Sequence, residues 1–140
     1  MRLDPAEAMA RFAAEPVARL ATADRQGRPH VVPCTFAVDD DGRIVTGVDD
    51  KPKSTTALRR LANIEQNPLV SLLADEYSPD WEQLWWARAD GAAVVVRGGA
   101  EHEAHWRLLA GKYPQYRGQA PDGPTILVTV AAWSGWAYRG

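Results

Sequence analysis

Pro29-His30-Val31-Val32-Pro33-Cys34-Thr35-Phe36-Ala37-Val38, then Asp39-Asp40-Asp41-Gly42, then Arg43-Ile44-Val45-Thr46-Gly47-Val48, is the stretch on which the fold turns. In its first ten residues His30, Val32, Cys34, Phe36 and Val38 recur at period two, the spacing that lines one face of a β-strand. The aspartate-rich turn ending in Gly42 is a hairpin signal, and residues 43–48 read as the returning strand. Upstream, residues 17–23 (VARLATA) read as a strand joined to 29–38 through Asp24-Arg25-Gln26-Gly27. Two hairpins in succession predict an antiparallel meander. Pro33 has no N–H to give to a ladder, so an unpaired or bulged position is expected there.

Working outward, Asp4 and Pro5 have the chemistry of a helix cap and a first helical residue, and Met9, Phe12 and Ala13 then share a face. Residues 54–66 change to helical period, with Ala57, Leu58, Leu61, Ala62 and Ile64 on one side and Arg59, Arg60 and Glu65 turned away. Residues 69–74, one or two segments within 85–97, and 125–130 read as further strands. Asp90-Gly91 marks a bend, residues 100–113 a third helix, and Trp133 to Tyr138 a short aromatic tail. The expected fold is mainly β (α+β). About six short strands, mostly joined by hairpins, argue for a small antiparallel β-barrel with two or three flanking helices, and residues 1–140 form one domain.

Composition excludes several functions. Among 140 residues, 16 Lys and Arg face 18 Asp and Glu, giving a formal charge of -2 and no basic field for nucleic acid. The single cysteine, Cys34, allows neither an internal disulfide nor a cysteine zinc cluster. No apolar run approaches a membrane span, and the acidic amphipathic N-terminus is unlike a signal peptide. The expectation is a cytoplasmic protein without nucleic-acid or membrane partners.

Asp49-Asp50-Lys51-Pro52-Lys53-Ser54-Thr55-Thr56 carries the most chemistry. Two ammonium groups and three hydroxyls stand where a helix begins. Unpaired helical N–H groups there attract anions, so the loop could hold a phosphate; a capping serine with solvated lysines is the plainer alternative. Neither GxGxxG nor GxxxxGK[ST] occurs, which removes the Rossmann and Walker solutions to phosphate binding. Cys34 reads as a small buried hydrophobe and His30 as structural. His102 and His105 lack a convincing third ligand, so no metal is expected. The six tryptophans exceed what a barrel of this size can enclose, and some are expected at a subunit seam or a ligand wall.

Taken together, Val17-Ala18-Arg19-Leu20-Ala21-Thr22-Ala23-Asp24, Gly27-Arg28-Pro29-His30-Val31-Val32-Pro33, Lys51-Pro52-Lys53-Ser54, Leu58-Arg59-Arg60-Leu61 and Asn67-Pro68-Leu69-Val70-Ser71 resemble the pyridoxamine 5'-phosphate oxidase-like split-barrel superfamily. Leu84-Trp85-Trp86-Ala87-Arg88 and Trp133-Ser134-Gly135-Trp136 extend the likeness over nearly the whole chain. Within the superfamily it is most similar to short actinobacterial proteins classed as F420-dependent oxidoreductases. The resemblance implies a six-stranded antiparallel split β-barrel that forms a homodimer with cofactor sites at its interface, and hydride transfer between F420 (a deazaflavin) and a small organic substrate. FMN in the same site, and a non-catalytic flavin or deazaflavin carrier, are the alternatives. By the same resemblance, Lys51, Lys53, Ser54 and Thr55 hold the cofactor phosphate. The backbone of Val32, Pro33, Cys34, Thr35 and Phe36 flanks the ring, and Trp85 and Trp86 close the site. No catalytic residue is assigned; Tyr77, Tyr116 and His30 are candidate proton donors. Pyridoxamine-phosphate oxidases proper carry a basic C-terminal segment for the substrate phosphate. Arg139 is the only comparable residue here, so vitamin B6 oxidation is not expected.

Overall fold

The computed structural model describes residues 1–48, 55–118 and 121–139, with the side chains of 55–57 left out. Seven strands form one antiparallel sheet: β1 (Ala18–Ala23), β2 (Pro29–Cys34), β3 (Ala37–Val38), β4 (Ile44–Gly47), β5 (Leu69–Glu76), β6 (Trp85–Val96) and β7 (Thr125–Ala137). Their spatial order is β2-β1-β5-β6-β7-β4-β3. The two outermost strands are consecutive in the chain, with only Thr35 and Phe36 between them. Three residue steps reach about 10 Å at most, so the sheet must curl until its edges nearly meet. This is the split barrel.

The strand expected over 29–38 keeps its phase but changes neighbours. Residues 29–34 pair with β1, Ala18 opposite Cys34, whereas Ala37 and Val38 pair with Val45 and Ile44 of β4. One period-two run therefore serves both edges, which makes seven strands of the six expected. The meander is corrected for the same reason: β2 and β4 lie on opposite edges and do not pair. The aromatic tail is also corrected. Trp133 and Trp136 lie inside β7, opposite Ala89 and Trp86. The bend at Asp90-Gly91 is a register shift between β6 and β7. A Cβ on Gly91 would run into the Thr129 carbonyl, so the bulge requires glycine.

Three helices cover the barrel. In α1 (Pro5–Ala13), Asp4 accepts the Glu7 N–H at 2.8 Å, as a capping aspartate should. The helix drops Phe12 into the barrel, with ring centroids 4.6 Å from Phe36 and 5.2 Å from Trp133. α2 (Thr55–Gln66) packs on β1 and β6, and α3 (Gly99–Lys112) covers β3 and β4. Two apolar clusters result. Phe12, Leu20, Phe36, Ile44, Leu72, Ile126 and Val128 fill the barrel. Trp106, Leu109 and Tyr113 press on Ala37, Val45 and Leu127 from outside. Being covered on both faces explains the unbroken apolar run Ile126-Leu127-Val128. No helix among the described residues is long and apolar enough to cross a membrane.

The seam at Thr35-Phe36 is fastened by the end of α3. The Tyr113 hydroxyl accepts the Phe36 N–H at 3.0 Å and lies 2.9 Å from the carbonyl oxygens of both Phe36 and Pro16. Thr46 Oγ1 donates to the Thr35 carbonyl at 2.7 Å. Lys112 Nζ donates to the carbonyls of Ala13 and Glu15 at the end of α1, at 3.2 and 2.7 Å, and lies 3.8 Å from the centre of the Phe36 ring. Carbonyls left over at a helix end thus find a cation, which an aromatic face also stabilises. Tyr113→Phe strands the buried Phe36 N–H and is expected to cost about 1–3 kcal/mol in urea unfolding. Unchanged stability would remove the hydroxyl from this role. Burial pushes Lys112 down to about 8 from 10.5. Above pH 8 the folded chain releases this proton while the unfolded chain keeps it, so this residue's contribution makes stability rise between pH 8 and 9.5. Thermal unfolding across that window checks the sign, and Lys112→Met should flatten the slope.

Candidate functional site

The edge strand β2 offers backbone to whatever lies beside it. The Asp24 N–H donates to the Arg28 carbonyl at 3.2 Å, which fixes the alternation of the β1–β2 ladder. From there His30, Val32 and Cys34 direct their backbone groups at β1, while Val31 N–H and C=O and the Pro33 carbonyl point to the open edge. Pro33 lies opposite Arg19 with no register shift. The expected bulge is therefore absent: proline occupies a position whose nitrogen faces away from the ladder, and no ladder bond is lost. Beyond the strand, the Phe36 N–H is held by Tyr113 and the Thr35 carbonyl by Thr46. The Thr35 hydroxyl lies 2.8 Å from that of Tyr116.

Cys34 is buried, and burial pushes its thiol up, against a hydrogen bond with Thr46. A thiol so placed is a packing group and a poor nucleophile. Facing it from α2 is Arg60, half-buried, with Nε buried and without a hydrogen-bond partner among the described residues. Burial lowers its hold on the proton, and Cys34 is the titratable group that acts on it in the other direction. The sequence pattern turned Arg60 to solvent, and the structure reverses this. α2 buries Leu61, Asn63 and Ile64 and leaves Leu58 and Ala62 exposed. Asn63 Nδ2 donates to Thr22 Oγ1 at 3.0 Å, a polar anchor that rotates the helix away from its most apolar stripe. A period-3.6 reading of hydrophobicity cannot register such a bond.

Lys51, Lys53 and Ser54 lie outside the described residues, as does the side chain of Thr55, the first residue of α2. Trp85 and Trp86 are neighbours on β6 and so face opposite sides of the sheet. Trp85 packs against the barrel core with the Arg11 guanidinium 5.9 Å from its ring; Arg88 lies 5.7 Å from the Trp86 ring. β1 and β5 stand between β6 and β2. At about 4.8 Å per strand, the tryptophans are about 14 Å along the sheet from β2, and one chain does not bring them together.

The remaining candidates fall elsewhere. His30 is half-buried, with Nδ1 unpartnered. Tyr77 is exposed, and Tyr116 stacks edge-on against Trp106. His102 Nε2 lies 2.8 Å from the Gly123 carbonyl, and His105 Nδ1 lies 2.7 Å from Thr125 Oγ1, so both tie α3 to the start of β7. Asn63 carried no signal in the sequence beyond its residue type, whereas Arg60 stands in the Leu58-Arg59-Arg60-Leu61 stretch that carries the resemblance.

The family model described as pyridoxamine 5'-phosphate oxidase matches residues 5–137. No curated protein matches the chain. Several solved structures share its shape. An FAD-binding protein from Mesorhizobium loti is 20% identical over 96% of this chain and 95% of its own, with a TM-score of 0.73. The FAD binding protein from Mycobacterium smegmatis is 18% identical over 100% and 99%, with a TM-score of 0.68. HutZ, the heme storage protein from Vibrio cholerae, is 21% identical over 98% and 95%, with a TM-score of 0.70. Identities this low speak for the fold alone. The family match runs from the first residue of α1 to the last of β7, and the chain belongs to the pyridoxamine 5'-phosphate oxidase family.

Proposed function

We propose that this chain is an oxidoreductase that binds a tricyclic redox cofactor of the flavin class along β2. F420 is the form that the sequence resemblance implies. The observation that carries the reading is the buried, unpartnered Nε of Arg60 beside an edge strand with open backbone groups. A buried guanidinium N–H without an acceptor among the described residues is costly, and a ligand offering carbonyl or ring-nitrogen acceptors along one edge would satisfy it. When bound, such a ring supplies the hydride chemistry itself. The chain's part is to hold and orient it. Lys51, Lys53, Ser54 and Thr55 take the phosphate, the backbone of Val32, Pro33, Cys34, Thr35 and Phe36 flanks the ring, and Arg60 meets its polar edge. FMN or FAD is the second reading, favoured by the two FAD-binding proteins of the same fold.

The active form is a cytoplasmic homodimer. The outer face of the sheet supports this, since Val31, Leu69 and Val94 are exposed along it. A shallow groove of about 710 Å3 crosses the same sheet between Ala21, Leu69, Ala92 and Ala131. An exposed apolar surface of this kind marks an interaction site. A second protomer would also supply the outward-facing Trp86 that one chain holds too far from β2, while Trp85 is taken up by its own barrel core.

Titration of the purified chain with F420, FMN, FAD and hemin, followed by fluorescence and absorbance, tests the reading. Saturable micromolar binding of one flavin-class cofactor is expected, weakened by about 1–3 kcal/mol in both Arg60→Gln and Lys53→Ala. Binding of hemin alone, or of none of the four, would overturn it.

A further inference from the structure

We infer that the cleft between the β1–β2 turn and the outer side of α2 is a separate binding site for a dianionic small molecule. The cleft has a volume of about 460 Å3, within the range of small-ligand sites. Three guanidinium groups line it: Arg25 and Arg28 from the turn and Arg59 from the helix. The one carboxylate, Asp24, is already engaged. Its Oδ2 accepts from Arg28 Nε at 2.7 Å, and its Oδ1 accepts the backbone N–H groups of Gln26 and Arg28 at 2.9 Å. Those bonds hold its carboxyl below the usual range, led by the one from the Arg28 backbone, so Asp24 stays ionised and cancels one cation. Two positive charges remain. Among the described residues neither Arg25 nor Arg59 forms an ion pair.

The walls are fixed before any ligand arrives. The Arg25 N–H donates to Gln66 Oε1 at 3.1 Å, pinning the turn to the helix, and Gly27 closes the turn at φ +82°. Arg59, Asn63 and Gln66 share one side of α2, with Asn63 anchored on Thr22. A second observation points to a ligand: His30 lines the cleft, and its Nδ1 is buried with no partner. In the tautomer that carries a proton on Nδ1, this ring can donate to an oxyanion lying beside the two uncompensated guanidinium groups. Planar guanidinium forks bind carboxylate and phosphate alike, so the shared chemistry is two negative charges carried on oxygen, as a phosphate monoester or a dicarboxylate. The site centres on Asn63, about 12 Å along α2 from Thr55, which separates it from the lysine loop. The inference is independent of the cofactor reading.

Inorganic phosphate and succinate are the probes, titrated at constant ionic strength against the 15N-labelled full chain. Saturable shifts of the Gly27 and Arg25 amides and the His30 ring are expected, with one probe preferred and so naming the source. Arg59→Gln, on an exposed helix position, should weaken binding about tenfold, while Lys53→Ala leaves it unchanged. An unchanged melting temperature shows that the Arg59 variant is folded; if that variant unfolds, Arg25→Gln replaces it. Overturning results are shifts that do not saturate, shifts that chloride reproduces, or binding lost in Lys53→Ala and retained in Arg59→Gln.

Discussion

The barrel depends on how two residues, Thr35 and Phe36, cross from one edge of the sheet to the other. At that crossing the backbone leaves both ladders, so its polar groups need other partners. Tyr113 and Thr46 provide them, while Lys112, next to Tyr113 at the end of α3, lies over the Phe36 ring. Without α3 the crossing would hold a buried N–H and an exposed Phe36 ring, and nothing would keep β2 and β3 in one phase. The same residues reach Pro16, Ala13 and Glu15, so the end of α1 is tied to the crossing as well. Two helices far apart in sequence thus close one seam.

Closure of that seam has a consequence for β2. Because the strand is shared between edges, its outer side is left unpaired among the described residues, which ordinarily invites aggregation. Pro29 and Pro33 stand on that side, and each removes a donor from the open edge. What remains is a short array of carbonyls with the single N–H of Val31. The edge is therefore guarded against another strand yet still able to meet a small ligand. Arg60 sharpens the point, since an arginine whose buried Nε has no acceptor among the described residues is hard to justify as packing alone.

The sequence made the barrel legible through its periods. Alternation over 29–38 survives in the structure from His30 to Val38, and Asp4 caps α1 as its type requires. What escaped were decisions made by side chains distant in sequence. The split of one strand into two is made by Tyr113, and the rotation of α2 by a bond between Asn63 and Thr22. Neither leaves a local periodic trace. The lysine loop was the most chemically legible feature, yet its residues 51–54 fall outside the described structure. The site is thus argued from Arg60, which hydrophobic patterning had turned outward.

The tryptophans complete the argument about assembly. Of the six, Trp106 is the buried one, while Trp81 is 68% exposed and the others are half-buried. Indole is too large and apolar to be left half-wet at four positions without a reason. Trp85 and Trp133 find theirs against the barrel core. Trp86 and Trp136 are cross-strand partners at the start of β6 and the end of β7. They are not among the residues packed against the barrel core, and Arg88 lies over the face of Trp86. A proposed second protomer would have to reach this corner as well as the apolar strip along β5. A two-fold axis allows that arrangement, because each chain then presents its indoles to the open β2 edge of the other. In the proposed dimer the proline-guarded edge and these half-buried indoles would be two halves of one surface.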